Sequence, residues 1–132
     1  MRQVHIGGEV RTIKCCPRSF IVYERAFAGS GHTLDGDINE FVQSGTNLVS
    51  VLPMGALMRI EYALEASVDG ATLPSFDVWM DELPEGALNQ FTIKRDNEWA
   101  ADLFAELQDT FFRAASDENV GATPEGDSED AA

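Results

Sequence analysis

Positive charge is what this sequence most lacks. Nine Lys and Arg stand against 23 Asp and Glu, a formal net charge of −14 over 132 residues. Such a surface repels phosphate backbones and anionic lipid headgroups, and it has no basic stripe to track nucleic acid, which argues against DNA or RNA binding. Long apolar runs are missing as well. No window approaches the roughly 18 apolar residues of a membrane span, and the N-terminal MRQVHIGGEV holds no apolar core of a secretory signal. Cysteine is confined to one adjacent pair, Cys15 and Cys16. A vicinal disulfide is sterically awkward, a zinc site needs more ligands, and no CxxC is present. The pair reads as two reduced thiols at a strand end, which points to a cytoplasmic setting.

The constellations of catalysis are also scarce. His5 and His32 are the two histidines. Neither belongs to an HExxH pattern, and neither lies near a cysteine nucleophile with a supporting acid, so exposed or structural roles are expected. Gly7-Gly8 is followed by no Gly-Lys-Ser/Thr, which leaves it a turn and not a phosphate loop. Asp35-Gly36-Asp37-Ile38-Asn39-Glu40 begins like a calcium loop, but Ile38, Phe41 and Val42 break the alternation of oxygen ligands and position 46 is Thr. Carboxylates are abundant without a defined pair across a cleft, and there is no nucleophile elbow. The expectation is a binding or assembly protein, not an enzyme, with no cofactor and no metal.

What is present is an apolar fraction of 44%, enough for one compact domain, expected over 1–115. Gln3–Ile6 and Glu9–Lys14 alternate about Gly7-Gly8 and predict a β-hairpin over 3–14, with Val4 and Ile6 on one face and Val10 and Ile13 inward. Pro17 opens a helix over 17–28, where Phe20, Tyr23 and Phe27 form a stripe widened by Ile21 and Ala26. A short helix over 37–43, capped by Asp37, buries Ile38, Phe41 and Val42. The apolar Leu48–Leu52 fits either a helical turn or an extended segment.

The central stretch follows. Leu57, Ile60 and Leu64 predict a helix over 54–67 with Arg59, Glu61 and Glu65 towards solvent. Val68-Asp69-Gly70 then loses the period. Ser75 caps a second short helix over 75–83, with Asp77 in its first turn and Phe76, Trp79, Met80 and Leu83 as its apolar stripe. Pro84-Glu85-Gly86 breaks the chain, Ala87–Ile93 reads as short irregular or helical structure, and Asp96 or Asn97 caps a last helix over 97–115. Its stripe of Trp99, Leu103, Leu107 and Phe111, broadened by Ala100, Phe104 and Phe112, is wider than one packing partner needs. Core packing accounts for it; an exposed partner-binding face near Phe104 and Phe112 is the alternative. Residues 116–132 carry six acids, no base and no large hydrophobe except Val120. They are expected to be a disordered acidic tail. The fold class is therefore α+β and predominantly helical, an N-terminal hairpin followed by a bundle of four to five helices.

Three short motifs carry a family resemblance: I-G-G-x-x-R-x-I-K over Ile6–Lys14, the aromatic-acid step Tyr23-Glu24 followed by Phe27, and P-S-F-D-x-W over Pro74–Trp79. In this layout the chain resembles the tail assembly chaperones of long-tailed bacteriophages and related prophages, well over Val4–Leu83 and more loosely in the last helix. The resemblance implies a small helical protein of the host cytoplasm, absent from the mature virion. It would bind the tape-measure protein and keep its apolar stripes covered until tail-tube subunits displace it. The tape measure is the implied partner, with the tail-tube protein a further one and self-association left open. The family assigns no catalytic residues. On aromatic and methionine content the contact surface is expected at Trp79, Met80, Phe104 and Phe112. The alternative function is a small acidic regulator or inhibitor that occupies a basic partner surface, with a steep salt dependence.

Overall fold

The computed structural model describes residues 1–44, 53–87 and 98–112, and of Phe112 the backbone alone. Strands β1 (Arg2–Ile6) and β2 (Glu9–Ile13) form an antiparallel hairpin. It is followed by helices α1 (Arg18–Ala26), α2 (Leu34–Ser44), α3 (Met54–Ala66), α4 (Phe76–Asp81) and α5 (Glu98–Leu107). The last helix continues as a π-helical turn over Gln108–Phe112. The expected hairpin and helices are thus present. The apolar Leu48–Leu52, residues 88–93, the Asp96/Asn97 cap, the last turn of the final helix at 113–115 and the acidic tail at 116–132 lie outside the described residues.

The hairpin turn sets the register. Gly7 and Gly8 both take positive φ, 56° and 89°, as a two-residue hairpin turn requires. That turn pairs Ile6 with Glu9, Val4 with Arg11 and Arg2 with Ile13, so those six side chains share the inner face. Val10 pairs with His5 on the outer face and is exposed, not inward as expected. Strand periodicity is the reason: Val10 and Ile13 are an odd number of residues apart and cannot share a face.

Helix α3 is the central element. It packs against α1, α2, β2 and α4, and the Lys14 N–H donates to the Leu64 carbonyl at 3.0 Å, fastening the end of the hairpin to it. Helix α5 lies along β1. Leu57, Ile60 and Leu64 meet Val4, Ile6 and Ile13 of the hairpin, Tyr23 of α1, Ile38 and Phe41 of α2, and Trp99, Leu103 and Leu107 of α5 in one core. Each fully buried large side chain there contributes about 1.5–3 kcal/mol. Surrounded in this way, α3 has no wet face. Glu61 is 0% exposed and Glu65 is buried as well, which corrects their expected placement in solvent.

Helix α2 begins earlier than expected, at Leu34. Thr33 Oγ1 accepts the Gly36 N–H at 3.1 Å and does the capping, whereas Asp37 is buried inside the first turn. There Arg59 of α3 grips Asp37 through two hydrogen bonds, Nε to Oδ2 at 2.9 Å and Nη2 to Oδ1 at 3.0 Å. The Tyr23 hydroxyl of α1 donates to the same carboxylate. One buried carboxylate therefore joins three helices. Ser75 stands at the N-cap of α4 as expected, although its hydroxyl makes no capping bond.

Candidate partner-binding surface

The four expected contact residues are not equivalent. Trp79 is 2% exposed. Its indole N–H donates to Glu65 Oε1 at 3.0 Å, its ring stacks on Phe76 and meets Tyr62 edge-on, and the Arg11 guanidinium sits 5.6 Å from the ring centroid. Helix α4 lays this face on α3, so Trp79 anchors the core and is not presented to a partner. Met80, beside it, is half-buried. Phe104 is 37% exposed on α5, its ring edge-on to Phe41 of α2 at 6.3 Å. Phe112 stands in the π-helical turn, its side chain outside the described residues. Trp79 and Met80 thus sit on α4 against α3, while Phe104 sits on α5 against α2.

The titratable groups were the other candidates. Glu61 accepts the Trp99 indole N–H at 3.0 Å, and its second oxygen is buried without a hydrogen-bond partner among the described residues. Burial, reinforced by Glu65 one turn on, pushes the Glu61 carboxyl well above its ordinary value. Glu65 faces Arg11 Nη1 at 3.3 Å, and Arg11 also meets Glu9. The two tryptophans of the chain therefore donate to two neighbouring glutamates, Trp79 to Glu65 and Trp99 to Glu61, and none of the described surface depressions includes either acid. This is a structural clamp of α4 and α5 onto α3.

Burial pushes the Cys15 thiol up to about 12, so it is protonated and a poor nucleophile. Its backbone N–H donates to Glu106 of α5 at 2.9 Å. His5 faces Asp102 of α5 through both Nδ1 and its backbone N–H, at 3.1 and 3.0 Å. His32 lies exposed in the loop after α1, its N–H on Ser30 Oγ. Among the described residues, no group of three or more His, Cys, Asp or Glu is placed to hold a metal ion, and no helix is long and apolar enough to cross a membrane.

The surface that does stand out was not foreseen. Helix α1 rests on α3 through Ser19 and Tyr23; the Ser19 and Ser67 hydroxyls meet at 2.7 Å. That rotation turns Phe20 and Ile21 outward, 40% and 52% exposed. Two open depressions flank them. One, of about 330 Å³, runs along α1 and the loop to α2; the other, of about 250 Å³, lies between Phe20, α2 and Phe111. They share Phe20 and Asp35. The available signal was Ser19, spaced four residues before Tyr23: a small polar residue at the helix contact, which shifts the buried stripe by one position from the one centred on Phe20.

Set against protein-family models, curated proteins and solved structures, the chain has no match.

Proposed function

We propose that this protein is a tail assembly chaperone of a long-tailed bacteriophage or prophage, acting in the host cytoplasm. It binds the tape-measure protein and holds it soluble until tail-tube subunits assemble around it. The observation that supports this reading is a small, strongly acidic, mostly helical body with large apolar side chains left at its surface: Phe20 and Ile21 on α1 and Phe104 on α5. Apolar contacts of this kind cover a partner's exposed stripe. The surrounding acidity keeps the complex soluble and favours encounter with basic segments. No reaction is involved; the work is masking of apolar surface against aggregation.

Co-expression with a tape-measure protein tests the proposal. The expected outcome is a soluble partner carrying several copies of this chain, with a complex that survives moderate salt because much of the contact is apolar. A compact one-to-one complex that dissociates steeply with salt favours the acidic-regulator alternative. A partner that stays insoluble with nothing co-purifying overturns the chaperone reading.

A further inference from the structure

The two depressions beside α1 are neighbours with Phe20 and Asp35 in both linings, and together they make one grooved face. Ile38, Val42 and Phe111 make its apolar floor on the α2 side, and the Phe20 ring meets Phe111 edge-on at 5.9 Å. Carboxylates stand on both rims, Glu24 on α1 and Asp35 on α2, each exposed. No Lys or Arg is among the described lining residues; Arg18 and Arg25 of α1 lie outside it.

We propose that this groove seats an amphipathic helix of a partner protein, one whose apolar stripe is flanked by lysine or arginine. The proposal rests on the binding reading above and gives it a surface. Two neighbouring depressions lined by residues of α1 and α2, with an apolar floor, fit the helix-in-groove mode of recognition, in which apolar side chains from successive turns enter the depressions. The acidic rims select the charge of the flanks. A second copy of this chain is the poorer occupant, because it also carries −14 and would oppose carboxylate to carboxylate. A small ligand fits less well too: both depressions are open, whereas small-molecule pockets bury most of their ligand's surface.

The test uses the full chain and a synthetic peptide of about 18 residues, five helical turns, with a leucine stripe flanked by lysines. A scrambled peptide of the same composition controls for charge alone. The amphipathic peptide should bind about tenfold more tightly than the scrambled one or better. The double reversal Glu24→Lys and Asp35→Lys should weaken it by about tenfold, whereas the matched reversal Asp81→Lys and Glu82→Lys at the C-terminal end of α4 should weaken it less than about twofold. Phe20→Ser should weaken binding, and Ile21→Ser repeats that test at a more exposed position that leaves the Phe111 contact intact.

Equal binding of the scrambled peptide, or equal loss from the α4 reversal, overturns the groove in favour of unspecific charge attraction. A dimer of the free chain that Ile21→Ser dissociates makes a second copy the occupant and overturns it as well. Co-expression separates the two readings. A tape-measure protein solubilised equally by wild type and groove variants removes the groove and keeps the chaperone. Failure of wild type to solubilise it, with the peptide results intact, removes the chaperone and keeps the groove.

Discussion

At the scale of the residue, the decisive group is Glu61. Its carboxyl is fully buried, accepts one indole N–H, and leaves an oxygen without a partner among the described residues. Burial favours the neutral acid, and the neighbouring Glu65 adds to that preference. A raised pKa in the folded chain fixes the sign of the pH dependence. Below the ordinary carboxylate range, the folded and unfolded chains both hold the proton and stability is complete. As the pH rises through that range the unfolded chain releases its proton first, so stability falls until the folded chain releases its own. Glu61→Gln keeps a carbonyl for Trp99 and offers an N–H towards Glu65. It should raise stability near neutral pH and change it almost not at all near pH 4. Urea unfolding followed by tryptophan fluorescence over that pH range checks it, and an unchanged pH slope would refute the neutral-acid assignment. In the sequence, Glu61 and Glu65 read as ordinary surface charges because α3 has a normal i, i+3, i+7 stripe. Nothing local reveals that α4 and α5 close over the opposite face.

At the scale of the element, the hairpin turn is tied to a distant segment. A Cβ on Gly7 would stand 2.6 Å from the backbone nitrogen of Ala87 and 2.8 Å from the carbonyl carbon of Gly86, whereas a Cβ on Gly8 would meet nothing. Both glycines have positive φ, so either alanine incurs about 1–2 kcal/mol of backbone strain. Gly7→Ala adds a backbone collision and should cost about 2–4 kcal/mol in all, against about 1–2 for Gly8→Ala, measured by urea unfolding. Equal costs would show that the 86–87 segment moves away freely. The turn itself was legible, since Gly-Gly between alternating runs names a two-residue hairpin. Its neighbour was not: the Pro84-Glu85-Gly86 break explains itself locally, and only packing brings it against residue 7.

At the scale of the whole molecule, net charge governs behaviour in salt. Repulsion within a chain of −14 opposes the compact state. Raising sodium chloride from about 10 mM to about 0.15 M shortens the screening length from about 30 Å to about 8 Å. Exposed ion pairs such as Lys14–Asp69 lose about 0–1 kcal/mol each under the same change. The buried grip of Arg59 on Asp37 is screened far less. The repulsive sum should win, so the melting temperature is expected to rise by roughly 2–5 °C. A fall in a scan over that salt range would mean that local pairs outweigh the global repulsion.

The sequence alone determined the acidity, the order of strands and helices, and where most of them begin and end. Those properties are set within a few residues: periodicity, a Gly-Gly turn, a proline at a helix start. It also made the case for a binding protein, through resemblance and composition. The tertiary structure alone decided which face of α1 is inside, that α3 is covered on its second face as well, and that Trp79 of α4 belongs to the core. Trp79 is core because Glu65 and Arg11 receive it, and Phe20 and Ile21 are surface because Ser19 and Tyr23 take the contact with α3. Burial depends on partners far along the chain, as Trp99 lies 38 residues from the Glu61 it contacts. No local pattern carries that information.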